Sequence, residues 1–253
     1  MTRQLSNSLD LKLEKSSADN LLGSKIKISQ PEKGYRFSID PFMLAAHVEV
    51  IENQKIIDIG CGCGIIPLIL SLKSSALKIT GIEIQKELYV HAKKNIITNK
   101  LENSINIIHG DIKNIDTSDT NGKADIIVSN PPYKKKGSGR LNPDSQKAIA
   151  RHEITLDIDM LFRYSSRLLK EKGKLYIIFP AQRLSDLIST MEHHTFSPEF
   201  IRFIHTKKDS TAKRVILCAV KNSNNPCEIH PPFYIYEYEN SFSKEYLSLF
   251  KDI

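Results

Sequence analysis

Long apolar runs are missing from this 253-residue chain. None approaches the roughly 20 consecutive apolar residues that a bilayer-spanning helix needs. The opening residues, Met1 to Asn7, hold no apolar core of the kind a secretory signal carries. These absences lead to the expectation of a cytoplasmic protein without a membrane partner. Cysteine is scarce as well, with four residues at positions 61, 63, 218 and 227. Cys61-Gly62-Cys63 is too close for a structural zinc knuckle, so no metal centre is expected. Reduced thiols suit a cytosolic chain. There is no internal repeat and no Pro/Gly/Ser-rich linker. The organisation expected is an N-terminal extension over 1–29, one main domain over 30–222, and a tail over 223–253 packing on that domain. Hydrophobic residues make up 40%, enough for a sizeable core. Lys and Arg number 36 against 29 acids, a net charge of +7. That excess permits a polyanionic partner without requiring one.

Against this background a glycine-rich loop stands out. The apolar run Lys55 to Ile59 leads into Gly60-Cys61-Gly62-Cys63-Gly64, and a helical stretch from Ile65 to Lys73 follows. Strand, glycine turn and helix is the setting of a nucleotide-type loop. The glycines let the backbone bend tightly and come close to a ligand. G-x-G-x-G is neither a P-loop nor the dinucleotide fingerprint, whose third glycine falls one residue later. Cys61 and Cys63 read as small residues filling the turn. The next strand, Lys78 to Ile84, contains Glu83 near its end, about 20 residues after the loop, where a carboxylate can bind both ribose hydroxyls. Glu87 to Lys100 has helical spacing, with Leu88, Ala92, Asn95 and Ile96 on one face. A third strand, Ile105 to His109, ends at Gly110-Asp111, and an acid there can accept from an adenine amino group. His109 reads as a packed strand residue.

A fourth strand, Ala124 to Ser129, leads into Asn130-Pro131-Pro132-Tyr133. This tetrapeptide suits the holding of a planar amino group. The Asn130 amide oxygen accepts from an NH2. Proline lacks an N–H and fixes φ, which leaves the Pro131 carbonyl stiff and available. The Tyr133 ring stacks on a flat base. A Pro-rich turn after a strand is the plainer reading of the same residues. Beyond it comes a basic run, Lys134, Lys135, Lys136 and Arg140, with Lys147 and Arg151 further on. Its place at the reactive edge favours phosphate contacts over a merely solvated face.

The flanks are less informative. Ile26-Lys27-Ile28 reads as a short strand. Asp40-Pro41 opens a helix through Val48, with Asp40 as N-cap and cofactor contact as its second possible role. Asp157 to Lys170 reads as an amphipathic helix ended by Lys172-Gly173. A fifth strand spans 175–179 and a helix 183–194. Strands over 200–205 and 215–220, joined by a basic loop, read as an antiparallel pair at the sheet edge. Phe233 to Tyr236 adds a strand or packs on the surface.

The ordered set Asp58-Ile59-Gly60-Cys61-Gly62-Cys63-Gly64, Glu83, Asp111 and Asn130-Pro131-Pro132-Tyr133 resembles the class I S-adenosylmethionine-dependent methyltransferases that methylate amino groups. More narrowly, Gln30 to Asp40, Tyr133 to Pro143 and Ala148 to Glu153 resemble the bacterial tRNA1(Val) adenine-N6 methyltransferases. The resemblance implies an α/β Rossmann-like fold. Its seven-stranded, mostly parallel sheet ends in an antiparallel pair, with helices on both faces. It implies S-adenosylmethionine as cofactor, met by Asp40, Asp58, Gly60, Cys61, Gly62, Gly64, Glu83, Asp111 and Asn130. It implies transfer to the N6 of adenosine 37 in tRNA. Asn130, Pro131, Pro132 and Tyr133 then hold the base, and Lys134, Lys135, Lys136, Arg140 and Arg151 grip the anticodon stem-loop. A monomer is expected. Rival substrates for the same chemistry are an rRNA guanine, a DNA adenine and a protein glutamine. A different class of reading is a non-catalytic RNA-binding protein on the same fold.

Overall fold

A computed structural model describes residues 26–31, 38–132, 156–238 and 241–249. Its elements in chain order are α1 (Asp40–His47), β1 (Lys55–Ile59), α2 (Ile65–Lys73), β2 (Lys78–Glu83), α3 (Lys86–Thr98), β3 (Ile105–His109) and β4 (Ala124–Ser129). Then come α4 (Ile158–Leu168), β5 (Leu169–Pro180), α5 (Leu184–His193), β6 (Phe196–His205) and β7 (Ala212–Lys221). The tail adds β8 (Glu228–Ile229), β9 (Phe233–Tyr234), β10 (Tyr236–Tyr238), β11 (Ser241–Phe242) and α6 (Lys244–Ser248).

The main sheet runs β3-β2-β1-β4-β5-β7-β6, with β8 and β9 both on the outer side of β6. β1 to β5 are mutually parallel, and β7 runs antiparallel to both neighbours. The seven expected strands are therefore present, and two 2-residue strands of the tail extend the edge. Both sheet faces are covered, which explains why the central strands read as continuous apolar runs. One face packs Ile56, Val128 and Tyr176 against α1, α2 and α3. The other packs Ile57, Ile127 and Ile177 against α4 and α5. The chain reverses direction of growth between β1 and β4, and in open α/β sheets ligands bind in the crevice beyond that point.

Three expectations need correction. Ile26 to Ile28 forms no strand. It is held instead by side chains of α3 and its C-cap: Asn99, the C-cap, exchanges two bonds with Lys27 (2.9 and 2.7 Å), and Asn95 two with Ser29 (2.7 and 2.8 Å). A side-chain amide offers one donor and one acceptor side by side, as a neighbouring strand does. The N-cap position of α1 is Ile39, without a side-chain cap, while Asp40 lies inside the first turn and accepts from Arg214 Nε at 2.9 Å. Helix α4 is capped by Asp157, whose Oδ1 accepts from Met160 N at 2.8 Å, but ends at Leu168. Lys172-Gly173 lies within β5. Leu169 already pairs with Ala124, the register then shifts, and Lys172 takes φ +60°. The long-range pairing decides the state of this segment, over the helical pattern that runs into it.

Candidate active site

β1 delivers the glycine loop to the sheet edge, and the loop is held by its neighbours' backbone. Gly60 N and Cys61 N both donate to Ile82 O of β2, at 2.9 and 3.1 Å. Gly60, Gly62 and Gly64 have φ of +76°, +56° and +82°, a region L side chains rarely enter. Space above Gly60 is open: a Cβ built there meets nothing within 4 Å. Gly81 in β2 does the opposite job. A Cβ at Gly81 would lie 2.8 Å from both the Cys61 sulfur and Ile107, so its absence lets the loop settle onto the strand. Cys61 and Cys63 are buried, and burial pushes the Cys61 thiol well up and the Cys63 thiol up to about 12. Neither is a thiolate at neutral pH, in keeping with small residues that pack the turn.

Two buried acids sit under this loop. Glu83 is 3% exposed at the end of β2. Its Oε2 accepts from Gly62 N and its Oε1 from Gln85 N, each at 2.8 Å. Burial raises the Glu83 pKa, and these backbone donors pull against that rise. Asp58 is fully buried, and neither carboxylate oxygen has a hydrogen-bond partner. Burial first, and the nearby Glu83 charge second, raise its pKa well above the ordinary range. An unpaired buried carboxylate is costly. It becomes favourable when a cation lies beside it.

A small, partly open cleft lies between the loop and the end of β4. Its walls are Pro41 of α1, Gly60 to Cys63, Ile65 and Ile66 of α2, and Asn130. Asn130 is part-buried, Pro131 buried and Pro132 exposed. The position of Asn130 relative to the loop depends on Ser129. Backbone pairing between β1 and β4 ends at Asp58–Val128. One residue on, the fully buried Ser129 hydroxyl donates to Ile59 O at 2.8 Å and bridges the strands where they part. Nothing marks this serine in the sequence, because a serine at a strand end reads as turn chemistry. Asn95, which the sequence marks only as part of a helix face, has a second role. Besides holding Ser29, its Nδ2 donates to Cys63 O at 2.9 Å, so one buried amide links segment 26–31 to the glycine loop.

The remaining expected residues are less tightly gathered. Asp111 follows β3 as a partly exposed residue, and its Oδ1 accepts from Lys113 N at 3.0 Å. His109 is exposed, its ring stacked on Tyr89 at 5.2 Å, so it is not the packed residue expected. Asp40 faces Arg214, while the adjoining Pro41 reaches the cleft. Tyr133, Lys134, Lys135, Lys136, Arg140 and Arg151 lie outside the described residues.

The donor set fits S-adenosylmethionine. The open space over Gly60 accepts a chain without a Cβ in the way, and the unpartnered Asp58 carboxylate suits a ligand that carries positive charge. Glu83 retains lone pairs for hydroxyl donors beyond its two backbone bonds. Fold and cleft together define the class: a class I, S-adenosylmethionine-dependent methyltransferase.

Comparison with known proteins gives the family. Residues 39–196 match the methyltransferase small domain model. The chain is 32% identical over 213 residues to the tRNA1(Val) (adenine(37)-N6)-methyltransferase of Phocaeicola vulgatus, covering 84% of this chain and 88% of that protein. It is 30% identical over 178 residues to the enzyme of the same name from Parabacteroides distasonis, covering 70% and 73%. Among solved structures, a predicted O-methyltransferase from Agrobacterium tumefaciens shares the fold with a TM-score of 0.67 at 18% identity, over 84% of this chain and 96% of that one. A methyltransferase from Pyrococcus furiosus does so at 0.60 and 19%, over 83% and 94%. The chain belongs to the methyltransferase small domain family and, within it, to the tRNA1(Val) (adenine(37)-N6)-methyltransferase family.

Proposed function

We propose that this protein methylates the N6 amino group of adenosine 37, beside the anticodon of tRNA1(Val), in the cytoplasm. The observation that carries the reading is the placement of Asn130 in the wall of the cleft that also contains the glycine loop. Bound S-adenosylmethionine supplies an electrophilic methyl group. The chain's own residues do the rest. Gly60 to Gly64 give the cofactor a close backbone approach, Glu83 accepts from its ribose hydroxyls, and Asp111 accepts from its adenine amine. Asp58 balances its positive charge from below.

On the acceptor side, the target adenosine is turned out of its stack. The Asn130 amide oxygen and the Pro131 carbonyl accept from the N6 hydrogens, which orients the amine and concentrates electron density on nitrogen. Tyr133 stacks on the base, and Lys134, Lys135, Lys136, Arg140 and Arg151 hold flanking phosphates. The site does its work mostly by alignment, which can supply roughly 7–11 kcal/mol.

The test is nucleoside mass spectrometry of tRNA from cells lacking this gene. Loss of N6-methyladenosine from valine tRNA, restored by purified protein with S-adenosylmethionine, is the expected result. Unchanged tRNA would move the substrate to rRNA, DNA or a protein glutamine and leave the methyltransferase class in place.

A further inference from the structure

We propose that the turn between β6 and β7, with the β10–β11 hairpin beside it, forms a second RNA-contact surface on the catalytic edge of the sheet. The proposal rests on the tRNA reading above and extends it from the target base to the surrounding arm.

Topology places the surface. β7 is antiparallel to β5, and β6 is antiparallel to β7, so β6 ends on the same edge as β4 and Asn130. With two strands between them and about 4.8 Å per strand step, the end of β6 lies roughly 15 Å along the edge from Asn130. The turn there presents Lys207 and Lys208, both exposed, with Lys213 and Arg214 opening β7. Arg214 ties this turn to the cleft: its Nε donates to Asp40 at 2.9 Å, and the next residue, Pro41, is in the cleft wall.

The tail continues the surface. After β9 the chain runs on alongside β6, with Ile235 N donating to His205 O (3.0 Å) and Tyr236 N to Thr206 O (2.9 Å). The hairpin therefore stands beyond the end of β6, next to the basic turn. It is firmly built. Tyr236, Phe242 and Tyr246 stack in a column, with ring centroids 4.9 and 4.5 Å apart. Ser243 Oγ donates to Tyr234 O at 2.6 Å and accepts from Tyr246 N at 3.0 Å. Arg202 binds Glu245, His47 and the Pro231 carbonyl, fastening the tail to β6 and α1. This framework leaves Tyr238 73% and Phe242 40% exposed.

Both faces of Phe242 are taken up by the column, which leaves Tyr238 as the ring open to a base. An exposed ring beside cations is a recognition element of single-stranded nucleic acid, stacking on a base while lysines meet phosphates. Among the described residues of this face, Lys208, Lys213 and Lys244 outnumber Asp209 and Glu237, and Glu245 is already engaged by Arg202. Along the chain the rings are interspersed with Glu237, Ser241 and Lys244, and depletion of charge is what marks the core of a protein interface.

The experiment uses the full chain with a tRNA1(Val) transcript. Charge reversal at Lys207, Lys208 and Lys213 is expected to raise KM for tRNA at least tenfold and to flatten its salt dependence. The slope of log affinity against log salt should fall by somewhat under one for each lost phosphate contact. Calorimetric affinity for S-adenosylmethionine should stay the same. Tyr238→Ala should raise the tRNA KM several-fold, and Tyr238→Phe should restore it. Unchanged KM and salt slope, in an enzyme that still methylates tRNA1(Val), would overturn this surface and leave the substrate reading intact. A change in oligomeric state without a change in KM would also overturn it, making the face a contact between copies. Wild-type protein that transfers nothing to tRNA would defeat the substrate reading first.

Discussion

The two halves of the catalytic edge are built on opposite principles. On the β1–β2 side, the proposed cofactor site is built from buried groups: Asp58 and Glu83 beneath a loop whose N–H groups donate to Ile82 and Glu83. On the β6–β7 side the proposed RNA surface presents lysines and the exposed Tyr238 ring, carried by a scaffold of part-buried Arg202 and His47 and buried Tyr246. A small ligand with one fixed shape rewards the first arrangement, since burial strengthens every contact. A large, hydrated polyanion rewards the second, where many exposed contacts add in small steps and respond to salt. Asn130 stands at the junction, on the strand between the two halves. That contrast ranks the effects to be expected from perturbing each part.

Removal of Asn130 should have the largest effect. Asn130→Ala is expected to lower the rate of transfer by roughly 10²–10³-fold, the scale of losing a single well-placed polar group at a reacting centre. Its affinity for S-adenosylmethionine should hold within a few-fold, as calorimetry would show. Equal losses of both would merge the two halves into one.

Acid should act on the halves with opposite sign. His47 is held near a pKa of about 4 by burial, its Nδ1 donating to Met43 O and its Nε2 accepting from Arg202. The unfolded chain takes up that proton near the ordinary value of 6.5. Stability is therefore full above that pH and declines as pH falls from there toward 4, by an amount on the order of 3 kcal/mol. Asp58 runs the other way, because its raised pKa lets the folded protein take up the proton first. Thermal melts between pH 7 and 4 of His47→Gln and Asp58→Asn, beside wild type, would separate the two. The glutamine variant should lose part of the acid sensitivity.

Glu83→Gln should weaken S-adenosylmethionine binding by roughly 10–100-fold, the scale of a buried hydrogen bond to a charged group. The value of kcat at saturating cofactor should move far less. Asp58→Asn should weaken cofactor binding about tenfold while the cofactor-free protein melts at the same temperature or higher. A lower melting temperature would show that Asp58 serves the fold and not the ligand. Ser129→Ala should be the mildest, about 1 kcal/mol. It should appear as a several-fold drop in kcat, with Ser129→Thr closer to wild type, because the bridge to Ile59 sets where Asn130 stands.

The strand–loop–helix of the glycine motif, Glu83 and the approach to Asn130 were legible because each depends on local sequence: apolar runs, positive-φ glycines, an acid at a strand end. What escaped reading depends on partners far away in the chain. Asp40 is drawn to Arg214, 174 residues on, and so does not cap its own helix. Leu169 to Gly173 carries a helix-ending signal that pairing with β4 overrides. Ile26 to Ile28 looks like a strand because its backbone is indeed paired, but with asparagine side chains. Ser129 and Asn95 bond to main-chain carbonyls across the fold, and such bonds have no sequence signature.

The most direct measurement is methyl transfer by purified protein to two tRNA1(Val) transcripts, one natural and one with adenosine 37 replaced by guanosine, read by position-resolved mass spectrometry. Methylation at position 37 of the first, as N6-methyladenosine, and none of the second is the predicted outcome. Equal methylation of both, or a methyl group on another atom, would contradict the account.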